Sequence, residues 1–244
     1  MEIKVGSFNI LNTSCRYHER KHLVSRAIGD MNCDFLGLQE INFQGNRDIL
    51  ALPHYTLKLS QLPSPMTKAE PEFRIDGNAT LIKSQFPILD EAVFTYNSRL
   101  RVAQRFKCSL GSQDIWFINT HLDHLSDETR LAQVQELIEW INPILFSNII
   151  LVGDFNFIPN SEPYKLMTKY FKSAFKQCNG EEPVLTFPTG LYGPWADIDR
   201  YGAFDYVFIR GNLECIKADV VTNIGRGSLF PSDHFPISTV IRIK

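Results

Sequence analysis

Apolar residues along this 244-residue chain fall in short runs rich in Val, Ile and Phe. Runs near residues 2 to 8, 34 to 39, 78 to 83, 101 to 109, 114 to 120, 148 to 153, 204 to 209 and 236 to 243 have the length and composition of buried strands. The pattern turns helical between 126 and 142, where Leu131, Val134, Leu137, Ile138 and Ile141 form a stripe. Ser126 can cap that helix and Pro143 ends it. A second helix is predicted after Asn160, with Tyr164, Met167, Phe171 and Phe175 spaced three, four and four residues apart, and a third near 18 to 30. On a continuous helix, Lys165, Lys169, Lys172 and Lys176 would share the opposite face. Such a face is either a solvated surface or a track for a polynucleotide backbone.

Strands separated sometimes by helices and sometimes by turns predict mixed sheets covered by helices, rather than a strictly alternating parallel fold. No fixed-period repeat or low-complexity linker divides the chain, so one domain over 1–244 is expected. Two long loops stand out: residues 61 to 77, with three prolines, and residues 186 to 203, where Gly and Pro mix with Tyr192, Trp195 and Tyr201. Long loops in a compact domain are often functional.

Composition narrows the function classes. With 44% hydrophobic and 21% charged residues the chain is ordinary for a globular protein. Its formal net charge of -2 lacks the basic excess of a protein that grips many phosphates. Five scattered cysteines with no CxxC pair argue against a disulfide framework or zinc knuckle, and there is no HExxH. The N-terminal MEIKVGSFNI reads as a strand rather than a leader, no membrane-spanning stretch is evident, and a cytoplasmic monomer is expected.

The chemistry gathers where apolar strands end. Val5–Ile10 contains Asn9, and Phe35-Leu-Gly-Leu-Gln runs into Glu40. Ile115–Ile118 leads to Asn119-Thr-His121, and Ile149–Val152 leads to Gly153-Asp154-Phe-Asn156. Asp205 opens another run, and Asp233-His234 follows Ser232. Carboxylates and amide carbonyls are hard oxygen donors suited to Mg²⁺ or Mn²⁺, which favour one or two protein carboxylates alongside a substrate phosphate. A His held by an Asp, as Asp205 and His234 could be, supplies an oriented imidazole for a phosphoryl oxygen. Taken singly, each position has an ordinary alternative: a solvated Glu40, an Asx-turn Asp154, a turn-capping Asn9, a helix-capping Asp233, a satisfied buried His121.

Taken together and in order, SFNI, LQE, NTHL, GDFN, FDYVF and SDHFP resemble the endonuclease/exonuclease/phosphatase superfamily, over residues 3 to 243. That superfamily embraces DNase-I-like nucleases, deadenylases, sphingomyelinases and inositol polyphosphate 5-phosphatases. The resemblance implies a four-layer α/β sandwich of two mixed β-sheets, with the site at one end. It places Asn9, Glu40 and Asp233 at a divalent metal, with Glu40 the direct ligand. It has Asp154 orient or deprotonate the attacking water, helped by Asn156. His234, oriented by Asp205, contacts the scissile phosphate, as do His121 and Asn119 from the neighbouring strand. Arg101 resembles a phosphate-contacting position and Asn78 lies in a strand bordering the site, although a surface arginine and a turn asparagine fit as well.

The expected activity is metal-dependent hydrolysis of a phosphodiester, with nucleic acid or a nucleotide as substrate and Trp195 stacking on a base. A lipid or inositol phosphate phosphoesterase is the alternative. A catalytically silent binding module is a different class, and it is disfavoured because each expected position carries the expected residue type.

Overall fold

A computed structural model describes residues 1–43, 45–61, 76–193 and 200–244. The expected base-stacking Trp195, and most of the 61 to 77 loop, lie outside the described residues.

In chain order the elements are β1 (Glu2–Asn9), α1 (Tyr17–Met31), β2 (Phe35–Asn42), α2 (Arg47–Leu50), β3 (Tyr55–Gln61), β4 (Asp76–Lys83), β5 (Ile88–Thr95), β6 (Val102–Leu110), β7 (Gln113–His121), α3 (Asp127–Ile141), β8 (Ile149–Asp154), α4 (Glu162–Met167), β9 (Lys172–Ser173), α5 (Ala174–Asn179), β10 (Asp205–Arg210), β11 (Leu213–Val220) and β12 (Ile237–Ile243). They form two six-stranded sheets, ordered β11-β12-β1-β2-β4-β3 and β5-β6-β7-β8-β10-β9. Each is mixed: β1–β2 and β7–β8 run parallel, and the other pairs are antiparallel.

Three apolar interfaces hold the layers. Between the sheets, Ile3, Val5 and Phe35 from one meet Phe117, Ile150 and Val152 from the other. On the outer face of the first sheet, Phe8, Leu36 and Leu38 pack on Val24, Ala27 and Ile28 of α1. On the outer face of the second, Ile118, Leu151 and Phe208 pack on Val134 and Leu137 of α3 and Tyr164 of α4. Three interfaces stack four layers, helix–sheet–sheet–helix, so β1, β2, β7 and β8 are buried on both faces. That burial explains why they read as unbroken apolar runs. The sheets approach closely at Gly37, where a Cβ would lie 2.5 Å from Val152 Cγ2 and 2.8 Å from the Asn119 amide.

The helix predicted from Asn160 through Phe175 does not continue. It ends at Met167, where the Thr168 hydroxyl donates to the Tyr164 carbonyl, and the chain then forms β9, which pairs with β10, before α5 starts at the Ser173 cap. Tyr164, Met167 and Phe171 are buried nonetheless. The four lysines therefore share no helical face, with Lys165 in α4, Lys169 in the turn after it, Lys172 in β9 and Lys176 in α5, and Lys165 pairs with Glu162 at 2.7 Å. Among the described residues no helix is long and apolar enough to cross a membrane.

Candidate active site

Strand register assembles the site. Parallel pairing sets Asn9 beside Gln39 and His121 beside Asp154, and antiparallel pairing sets Asp205 beside Asp154. Directly paired residues point to the same face of a sheet, so His121, Asp154 and Asp205 form one row across β7, β8 and β10. The glycine before Asp154 is required, since a Cβ on Gly153 would sit 2.1 Å from the Thr120 carbonyl oxygen of the neighbouring strand. Glu40 reaches the site through a break in the β2–β4 register between Leu38 and Ile41, with its backbone at φ +56°. A left-handed, non-glycine residue at a bulge is a strained way to re-aim a side chain, and such strain is common at functional sites.

Hydrogen bonds join the two sheets at this edge. Asn9 Nδ2 donates to Glu40 Oε1 at 3.1 Å and to Asp154 Oδ2 at 2.9 Å, while its Oδ1 accepts from the Leu11 amide. Asn9 thus orients two carboxylates. Asn12 Nδ2 holds the other Glu40 oxygen at 3.2 Å. Asp154 Oδ1 accepts from the Asn156 amide at 3.0 Å, and its Oδ2 lies 3.4 Å from His121 Nε2 and 3.7 Å from His234 Nε2. The dyad expected from the sequence is present, with His234 Nδ1 and Asp205 Oδ2 2.9 Å apart.

Burial and charge set the protonation states. Burial pulls the His234 imidazole down, but the Asp205 and Asp154 carboxylates outweigh it and hold the ring up at about 10, so it is a cation at neutral pH. His121 is driven the opposite way by burial and by the Arg101 and His234 cations, and it is neutral. Arg101 sits with Nη1 3.3 Å from His121 Nδ1 and Nη2 3.2 Å from His124 Nδ1. A guanidinium can only donate, which favours Nδ1 of the neutral His121 as acceptor, while Nε2 lies between Asp154 Oδ2 at 3.4 Å and the Asn156 amide nitrogen at 3.2 Å. Burial raises Asp154, and burial together with neighbouring Glu40 raises Asp233 to about 6.

These side chains fit a metal ion. Asp154, Asp205 and His234 bring ligand atoms within 4.8 Å of one another. Among the described residues Asp205 Oδ1 is buried without a hydrogen-bond partner. Glu40 opposes the ionisation of Asp233 on the other flank, a repulsion that a cation would relieve. His234 Nδ1 and Asp205 Oδ2 already serve each other, while each Glu40 oxygen accepts one amide hydrogen bond and keeps a lone pair that can face an ion.

Two expected substrate contacts lie elsewhere. Asn119 is fully buried between the sheets, donating to Ala79 O at 2.9 Å and Leu38 O at 3.2 Å and accepting from Gln39 Nε2 at 2.8 Å. Asn78 donates to Val102 O at 2.9 Å. Both amides tie sheet to sheet, and Asn119 has its nitrogen and its oxygen engaged there. Three residues that the sequence reading missed do serve the site. Thr186 Oγ1 accepts from the Phe204 and Asp205 amides. Arg200, stacked 4.3 Å over the Phe204 ring, donates to Asn156 Oδ1 at 2.7 Å and to its carbonyl at 2.8 Å, fixing the Asn156 amide with Nδ2 toward His121. Arg20 lies beneath the Glu40–Asp233 flank. Its signal was legible, for Arg20 occupies a core-face position of α1 in register with Tyr17, Val24, Ala27 and Met31.

The sandwich and its polar end define the class: a four-layer α/β sandwich whose site straddles the facing edges of two mixed sheets. The chain belongs to the Endonuclease/Exonuclease/phosphatase family, whose model matches residues 6–234. It is 21% identical to the CCR4-Not complex 3'-5'-exoribonuclease subunit Ccr4 of Candida albicans over 92% of this chain and 37% of that protein. It is 25% identical to Nocturnin of Xenopus laevis over 91% of this chain and 64% of the relative, so it spans only part of either. The human Nocturnin catalytic domain, solved with a bound sulfate anion, superposes with a TM-score of 0.82 at 24% identity, covering 100% of this chain and 95% of that one.

Proposed function

We propose that this protein is a divalent-metal-dependent phosphodiesterase that hydrolyses a nucleic acid or nucleotide by in-line attack of water. The observation that carries this reading is the convergence on Asp154 Oδ2 of the Asn9 amide, the neutral His121 and the cationic His234. Asp154, raised by burial yet held by the Asn9 and Asn156 donors, is a base able to orient a water and take its proton. His234, charged and braced by Asp205, donates to a phosphoryl oxygen as negative charge grows there, and His121 sets a neutral imidazole beside it from the adjacent strand. Asn156, clamped by Arg200, holds the lip between them. Mg²⁺ or Mn²⁺ held by Glu40 and Asp233, with Asn9 orienting Glu40, would supply compensating positive charge to the phosphate.

A relative named as a 3'-5'-exoribonuclease subunit favours a polynucleotide over a lipid headgroup. Purified protein with Mn²⁺ or Mg²⁺, and with chelator, should be offered labelled single- and double-stranded RNA and DNA, mononucleotides, phosphoinositides and sphingomyelin. Chelator-sensitive cleavage of a polynucleotide or nucleotide is expected. Turnover confined to the lipids or inositol phosphates would replace the substrate class, and turnover unaffected by chelator would remove the metal.

A further inference from the structure

Arg20 is a charged side chain with 0% exposure. Such burial is costly unless every donor is satisfied, and here they all are. Nε donates to Cys15 O at 2.8 Å, Nη1 to Ile10 O and Pro231 O at 2.7 Å each, and Nη2 to Ser14 O at 2.8 Å, to Asn12 O at 3.1 Å and to Leu11 O. All six acceptors are backbone carbonyls. Five belong to the turn that follows β1, where Leu11, Asn12 and Cys15 have φ of 55°, 31° and 39°, conformations unfavourable for residues with a Cβ. The turn is wrapped around the guanidinium much as a carbonyl cage wraps an ion. The sixth acceptor lies two residues before Asp233.

That geometry joins two segments distant in sequence. The wrapped turn presents Asn12, whose amide fixes Glu40 Oε2, and follows Asn9, which fixes Oε1. The other segment presents Asp233. We infer that Arg20 is a positioning residue that holds Glu40 and Asp233 at the spacing of a divalent-ion site before any ion arrives. This inference rests on the reading of Glu40 and Asp233 as the metal flank. It also has a sign that charge alone would reverse. A buried cation beside two carboxylates opposes a second cation by Coulomb repulsion, so removing it should tighten metal binding if electrostatics were its whole effect. A positioning role requires the reverse, because pre-organisation lowers the cost of binding.

The test is Mn²⁺ titration calorimetry on the parent protein, Arg20→Lys, Arg20→Met and Glu40→Gln, well below each melting temperature. Lys keeps the charge but can offer only three donors to six carbonyls. Both Arg20 variants are expected to bind Mn²⁺ at least tenfold more weakly. Loss of affinity in Glu40→Gln with unchanged affinity in Arg20→Lys, or with unchanged or tighter binding in Arg20→Met, overturns the inference and leaves the metal flank standing. Parent-like binding by Glu40→Gln overturns the flank assignment and the inference with it. If neither Arg20 variant folds, the parent decides. Exchange of the Leu11 and Ser14 amides, which donate to Asn9 Oδ1 and Asn12 Oδ1, should be the same within fivefold with and without Mn²⁺. Slowing beyond fivefold on metal addition means the turn is shaped by the ion, and the inference fails.

Discussion

Replacing Asp205 with Asn should return His234 toward an ordinary histidine. In the folded protein the ring is held at about 10 against a reference of 6.5, with burial opposing and the carboxylates of Asp205, Asp154 and Asp233 supporting the charge. That gap corresponds to roughly 5 kcal/mol of preference for the imidazolium. Asp205 supplies the leading support and, among the described residues, the one direct hydrogen bond to the ring, at 2.9 Å, so its charge should account for about half or more, on the order of 2–3 kcal/mol. A raised folded-state value stabilises the protein fully below about pH 6.5 and loses that contribution as pH climbs toward 10. Metal-free parent protein should therefore lose stability through this group between those limits, and Asp205→Asn should lose it over a narrower range at lower pH. Imidazole titration by NMR on histidine-labelled protein reads the effect directly, and turnover near neutrality should fall by roughly 10²–10³-fold as the donor to the phosphoryl oxygen loses its charge. If His234 of the parent titrates near 6.5, or titrates at the same pH in both proteins, the dyad does not act as argued.

Asp154→Asn should keep substrate affinity within a few-fold while kcat falls on the order of 10³-fold, since it removes proton acceptance and little bulk; a matched loss in binding and turnover would place Asp154 in recognition instead. Asn119→Ala should cost about 2–4 kcal/mol in denaturant unfolding, because the Gln39 amide, Leu38 O and Ala79 O lose their partner in a dry interface, and a loss under 1 kcal/mol would show that the tie is dispensable. Gly37→Ala should destabilise comparably through overlap with Val152, by about 1–3 kcal/mol, and a neutral effect would mean that the sheets have room to part.

The strands legible in the sequence are those buried on both faces, or on one face of a central position. β3, β5 and β11 escaped notice for a physical reason. β3 and β5 are edge strands, β11 is the edge beside β12, and their sequences carry charges such as Lys58, Glu91 and Lys217 where central strands carry Val and Ile. The helix after Asn160 misled because its apolar residues are indeed buried, but pairing of Ser173 with Phe208 outweighs helical continuation. The strand-end carboxylates and histidines were readable because strand ends converge. Asn119 and Asn78 carried the same signature of a polar residue on an apolar strand, and only the facing sheet reveals that their partners lie inward. Arg200 was unreadable, because its partner Asn156 lies across a loop that no periodicity describes.

The row of amides and hydroxyls between the sheets has a consequence for how the two halves of the site keep their alignment. Apolar side chains resist separation but are nearly indifferent to sliding, whereas hydrogen bonds have direction. Ser7, Gln39 and Thr80 on one sheet engage Asn119 and Gln104 on the other, or one another, within that otherwise greasy interface. They act as dowels between two plates. Since Glu40 rides on one plate and His121, Asp154 and Asp205 on the other, a shear of a single residue spacing would part the carboxylate edge from the imidazole edge while leaving the hydrophobic contacts almost unchanged in kind. Redesigns that replace these polar residues with well-packed aliphatics could thus gain melting temperature and still lose the geometry at the rim, an accuracy set several residues below the surface on which it is used.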